Sequence, residues 1–84
     1  MRDINFKTNG TCASVIDFQL DDDNKLHNVK FTGGCNGNLK AIGMLTEGKD
    51  AGEIAAILEG NTCGRRNTSC ADQLAKAIRE AIND

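Results

Sequence analysis

The chain has 84 residues, 10 Lys and Arg against 12 Asp and Glu, and a formal net charge of −2. One domain of this length buries only about 60–65% of the surface that its unfolded form exposes, and without a basic excess it does not read as a nucleic-acid binder. Pro, Trp and Tyr are absent and three Phe are the only aromatics, so the core is thin and a metal, a disulfide or a partner subunit is a natural stabiliser for it.

Ile4 and Phe6 alternate with polar neighbours and predict a first strand that ends near Thr8, followed by Asn9-Gly10, the dipeptide best suited to a type I′ hairpin turn. In Ser14-Val-Ile-Asp-Phe-Gln-Leu20 the period is two, with Ile16, Phe18 and Leu20 on one face, and Asp21-Asp-Asp-Asn24 stops the strand. That acidic run lacks the Gly and the distal Glu of a calcium loop and is read as a hairpin turn. Val29 and Phe31 alternate with Asn28 and Lys30 in a third strand, which completes a three-stranded antiparallel meander. Simple pairing about Asn9-Gly10 would set Phe6 opposite Ala13, on the face away from Ile16 and Phe18, so a bulge or a longer loop is required there.

After Gly33-Gly34-Cys35 the apolar period becomes helical. Leu39, Ile42 and Leu45 predict a helix from about 37 to 47 with Gly48 at its C-terminal cap. Asp50-x-x-Glu53 is an acidic capping box that opens a second helix, in which Ile54, Ile57 and Leu58 form a stripe before Gly60. Ser69 caps a third, with Leu74, Ala77, Ile78, Ala81 and Ile82 facing the sheet and Lys76, Arg79 and Glu80 in water. The order β-β-β-α-α-α makes an α+β domain over residues 1–84, with the helices packed on one face of the sheet, the face bearing Ile16, Phe18, Val29 and Phe31.

Cys12, Cys35, Cys63 and Cys70 are the candidate chemistry. The start, with Asp3, lacks the apolar run of a secretory signal, and no stretch is long and apolar enough to cross a bilayer. A soluble cytoplasmic protein is therefore expected, in which cysteines serve more often as metal ligands or reactive thiols than as disulfides. If the second and third strands pair about the 21–24 turn, partner numbers sum to about 45, Ala13 faces Thr32 and Cys12 lies beside Gly33, at the end of the sheet that leads to Cys35. Cys35 precedes the first helix and Cys70 falls in the first turn of the third, where the helix dipole favours a thiolate.

No CxxC knuckle is present, so spacing leaves a shared metal site, small buried thiols and disulfides all open. Arg65 and Arg66, beside Cys63, are a candidate anion site at the start of the third helix, weighed against the plainer reading of a solvated loop. His27, the only histidine, is read as a surface residue at the opposite end of the sheet.

Thr68-Ser-Cys-Ala-Asp72 followed by Gln73-Leu-Ala-Lys-Ala77 resembles the signature of the TSCPD domain, whose Thr-Ser-Cys-Pro-Asp run opens its last helix. Gly10-Thr-Cys12, Val29-Lys-Phe-Thr-Gly-Gly-Cys35-Asn-Gly-Asn-Leu39 and Leu58-Glu-Gly-Asn-Thr-Cys63-Gly are similar to runs of small stand-alone members, so the resemblance covers nearly the whole chain. Ala71 replaces the proline of the motif, which alters a first-turn residue and removes no ligand. The domain also occurs at the C-terminus of some ribonucleotide reductases, which implies a role linked to such an enzyme and explains how a reductase label could be inherited by a chain too small to be one.

A fainter resemblance is to IscU/NifU-type iron–sulfur scaffolds, whose three cluster cysteines fall on Cys12, Cys35 and Cys70. Ser14 and Ser69 stand where that family has an Asp and often a His, and Cys63 has no counterpart there. Together the resemblances imply a closed site of four thiolates holding zinc or an iron–sulfur cluster, in a module that acts through a protein partner, with neither nucleic acid nor membrane. A dithiol redox carrier and an iron–sulfur scaffold or carrier are the alternatives. Enzyme activity by the chain alone is not expected, since no acid, base or nucleophile set accompanies the thiols.

Overall fold

The computed structural model describes residues 1–8, 13–34, 36–61 and 68–83. Its elements are β1 (Arg2–Lys7), β2 (Ala13–Leu20), β3 (Leu26–Gly33), α1 (Asn36–Thr46), α2 (Ala51–Leu58) and α3 (Cys70–Ile82). The strands form one antiparallel sheet in the order β1-β2-β3, as the alternating periods predict. Between β1 and β2, Ile4 pairs with Phe18 and Phe6 with Ile16. The ladder continues to Thr8 and Ser14, where the Thr8 N–H donates to the Ser14 carbonyl at 3.1 Å. Phe6 thus stands on the same face as Ile16, and the Asn9-Gly10 turn lies outside the described residues.

The β2–β3 hairpin departs from the expected register. Asp21 N–H donates to the Lys25 carbonyl, Asn24 takes φ 59°, and Asp21 Oδ1 accepts from the N–H groups of Asp23 and Lys25. The acidic run is thus a three-residue turn closed by a left-handed Asn, and one carboxylate satisfies its backbone. Two register shifts follow, one between Ala13 and Val15 and one between Asp17 and Gln19. Ala13 consequently pairs with Gly33, not Thr32, and Thr32 pairs with Val15. The second shift places an extra residue on β3 at Asn28, itself left-handed at φ 55°. That bulge is why Leu26 and Val29, three apart, are both buried.

The helices cover the face bearing Ile16, Phe18, Leu20, Leu26 and Val29, with Phe31 partly buried beside them and Leu74 and Ile78 of α3 completing the centre. Asp50 caps α2 by accepting the Glu53 N–H at 3.0 Å, and Gly48 and Gly60 take the positive φ angles expected at helix ends.

Two predicted stripes are corrected. In α1, Leu39 and Thr46 are buried and Ile42 is half-buried, whereas Leu45 is 73% exposed. In α2, Ile54 and Leu58 pack against the core as predicted, beside the buried Ala51 and Ala55, and only Ile57 of the stripe, 72% exposed, is turned outward. In each helix one large apolar residue of the predicted stripe is turned outward while a small neighbour is buried or in close contact. At Gly43 an added Cβ would lie 2.7 Å from the Val29 carbonyl oxygen, so α1 rests directly on the backbone of β3. Among the described residues no helix is long and apolar enough to cross a membrane.

Candidate functional site

The segment leading into α3 is held by a buried polar cluster. Ser69, in extended conformation, accepts the Asp72 N–H at 3.0 Å with its hydroxyl and donates that hydroxyl to the Asn61 carbonyl. Asp72 is 5% exposed. One of its carboxylate oxygens accepts the Gly60 N–H at 2.7 Å, and the other accepts the Thr68 hydroxyl, with the Lys76 ammonium 3.7 Å away. Gln73 Nε2 donates to Thr68 Oγ1 at 3.0 Å. The Thr68 hydroxyl, then the Gly60 N–H, hold the Asp72 carboxyl below its ordinary value against the opposing effect of burial.

This cluster fixes Cys70 as the first residue of α3, half-buried and free. The first-turn position expected from the Ser69 cap is therefore observed. Thr68, Ser69, Asp72 and Gln73, the residues around that cysteine in the sequence, are all buried and all serve to hold the approach to it. The Ser69 cap is readable from sequence, but the reach of Asp72 to Gly60 is not.

Cys12, Cys35, Cys63, Arg65 and Arg66 lie outside the described residues. The described residues that flank two of them are paired: Ala13, which follows Cys12, stands opposite Gly33, two residues before Cys35. Among the described residues no three His, Cys, Asp or Glu side chains converge on a possible metal position.

A second polar cluster, not foreseen from sequence, lies at the turn end of the sheet. His27 Nδ1 is 2.6 Å from Glu47 Oε2 and its Nε2 is 2.8 Å from Asp21 Oδ2, while Glu47 Oε1 accepts the Asn28 N–H at 2.9 Å. His27 lies at the turn end of the sheet, where the sequence places it, and its ring joins the β2–β3 turn to the end of α1. Asp21, then Glu47, raise its affinity for a proton. Each ring nitrogen already faces a different carboxylate, so the three groups form a clamp and not a chelate.

An open groove of about 700 Å³ runs between β3 and α1, lined by Val29, Phe31, Leu39, Gly43 and Met44. It is shallow, and its charged lining consists of Lys30, Lys40 and Glu47.

The family profile described as TSCPD domain matches residues 2–82. No curated protein and no solved structure matches the chain.

Proposed function

The chain belongs to the TSCPD domain family, and on that basis we propose that it is a small cytoplasmic metal-binding module in which Cys12, Cys35, Cys63 and Cys70 hold zinc or an iron–sulfur cluster. The observation that carries the reading is the seat of Cys70. A buried carboxylate, two hydroxyls and an amide are spent on fixing the approach to one cysteine at a helix start, an outlay that a passive apolar thiol does not require. Pairing of Ala13 with Gly33 supports the same reading, because it sets the residue after Cys12 opposite one two residues before Cys35.

Four thiols and no other ligand type suit zinc, which takes closed four-thiolate sites, or a cluster of iron and sulfide. Either group, when bound, supplies cross-linking free energy to a thin core, since the unfolded chain does not hold the four sulfurs together. The module is proposed to act through a protein partner, and the resemblance to domains appended to ribonucleotide reductases makes such an enzyme the first candidate.

The test is metal and sulfide analysis of anaerobically purified protein, coupled with melting curves of the wild type, of the wild type with chelator, and of Cys70→Ser. Stoichiometric metal, with loss of that metal and a clearly lower Tm in the last two, is expected. Metal-free protein with unchanged melting in all three would overturn the reading and leave the dithiol carrier, whose sign would be a reversible Cys63–Cys70 disulfide. A brown protein that passes its cluster to an apo-acceptor would replace the structural module with the iron–sulfur carrier.

A further inference from the structure

The sheet has two edges, and only one is covered by a described element. At β3, α1 lies against the outer backbone, close enough for Gly43 to meet the Val29 carbonyl. At β1, none of the described strands or helices pairs with the outer side. The register identifies what that side presents. Thr8 donates to Ser14 across the ladder, so the even-numbered residues of β1 bond to β2, and Asp3, Asn5 and Lys7 aim their N–H and C=O groups outward. The side chains of those three are exposed on the face away from the helices, whereas Ile4 and Phe6 are half-buried on the core face.

We propose that this edge receives β1 of a second copy of the chain, paired antiparallel about Asn5 to make one continuous six-stranded sheet. The strand is complementary to itself in that register. Asp3 falls opposite Lys7 of the second copy and Lys7 opposite its Asp3, so two ion pairs form across the two-fold axis, and Asn5 faces Asn5. The outward-directed residues then meet each other as hydrogen-bonded pairs. Ile4 faces Phe6 of the second copy at the closer, non-hydrogen-bonded positions, joining the two cores along their rims.

A slip of two residues in either direction sets Asp3 or Lys7 opposite Asn5 and loses the charge match, so one register is selected. Asp3 Oδ1 accepts from Gln19 Nε2 and Asn5 Nδ2 donates to Asp17 Oδ1 within the same chain, which holds both side chains extended over the sheet and leaves Lys7 to reach across. Charges on an edge strand often prevent pairing. Here their opposite signs, placed symmetrically about Asn5, favour it.

Sedimentation velocity of the whole chain in reductant, from micromolar to millimolar concentration and at low and high salt, tests the proposal. The wild type is expected to dimerise, more weakly at high salt. Asp3→Lys and Lys7→Asp each place like charges at both symmetry-related pairs and should weaken the dimer roughly tenfold or more, while the double variant D3K/K7D restores it. Asn5→Pro removes an outward N–H and none bonded to β2, so it should leave a folded monomer, checked by circular dichroism. A wild type that stays monomeric at every concentration overturns the proposal and makes Asp3 and Lys7 protective charges. A double variant that associates no better than the single ones, or a dimer that survives Asn5→Pro, overturns it in favour of contact elsewhere.

Discussion

Asp72 Oδ1 accepts the backbone N–H of Gly60 at 2.7 Å, which ties the first turn of α3 to the residue that closes α2. The same carboxylate takes the Thr68 hydroxyl, so a single buried group holds described residues on both sides of Cys63 in the chain, Gly60 and Thr68. Asp72→Ala leaves both donors without their partner and is expected to cost about 2–4 kcal/mol in urea unfolding. Asp72→Asn keeps an oxygen for Gly60 and should cost less. A loss under about 0.5 kcal/mol for the alanine variant, the range of ordinary surface substitutions, would contradict this account of the cluster.

Ser69 and Cys70 are adjacent and are expected to respond differently. Ser69→Ala removes the acceptor of the Asp72 N–H and should lower stability by about 1–2 kcal/mol, with metal content retained once the protein is folded. Cys70→Ser keeps the cap and should lose metal. Unfolding curves and metal analysis on the two variants separate the structural cap from the proposed ligand, and equal metal loss in both would show that the distinction does not hold.

Gly43 and Gly37, both in α1, make a matched pair. Alanine is the better helix former by about 1 kcal/mol, and at Gly37 an added Cβ meets nothing within 4 Å, so Gly37→Ala should be neutral or stabilising. At Gly43 the Cβ would stand 2.7 Å from a backbone oxygen, and the shift needed outweighs the propensity gain. Gly43→Ala is expected to destabilise by about 1–3 kcal/mol. Thermal melts that rank the two variants in the opposite order would refute direct contact between α1 and the backbone of β3.

His27 predicts a pH dependence. Its affinity for a proton is raised by Asp21 and Glu47 above the ordinary value of 6.5, so its contribution is complete below about pH 6.5 and is lost as the pH rises through the elevated folded value. Asp21, held low chiefly by His27, and Glu47, held low chiefly by the Asn28 N–H, contribute above the ordinary carboxylate range and lose that contribution in acid. The clamp is therefore strongest from about pH 5 to 6.5. In melting curves, the gap in Tm between wild type and His27→Gln should be wider at pH 6 than at pH 9. A gap of the same size at both values would mean that the ring packs and does not titrate.

Strand order and helix positions were legible because they rest on local signals. Period two in Ile16, Phe18 and Leu20, the Ser69 and Asp50 caps, and the glycines at 48 and 60 each act over a few residues, and each is observed where the sequence places it. Within the candidate site, the seat of Cys70 in the first turn of α3 was readable from the same kind of signal, and the family from the residues around it.

What the sequence did not determine depends on distances between elements. The bulge at Asn28 lets Leu26 and Val29 share a face, and nothing in the local pattern marks it before the strand is paired. Leu45 and Ile57 belong to apolar stripes by period, yet both stand in water, while α1 meets the backbone of β3 through Gly43 and α2 buries Ala51 and Ala55. Asp21, His27 and Glu47 meet only because the hairpin turn and the end of α1 pack together, and Asp72 reaches Gly60 only because α3 lies against α2. Periodicity and capping are properties of one segment and its own hydrogen bonds, so the sequence by itself decided them. Register, the choice of buried face and the pairing of distant polar groups follow from how closely two segments approach, and that was decided by the tertiary packing.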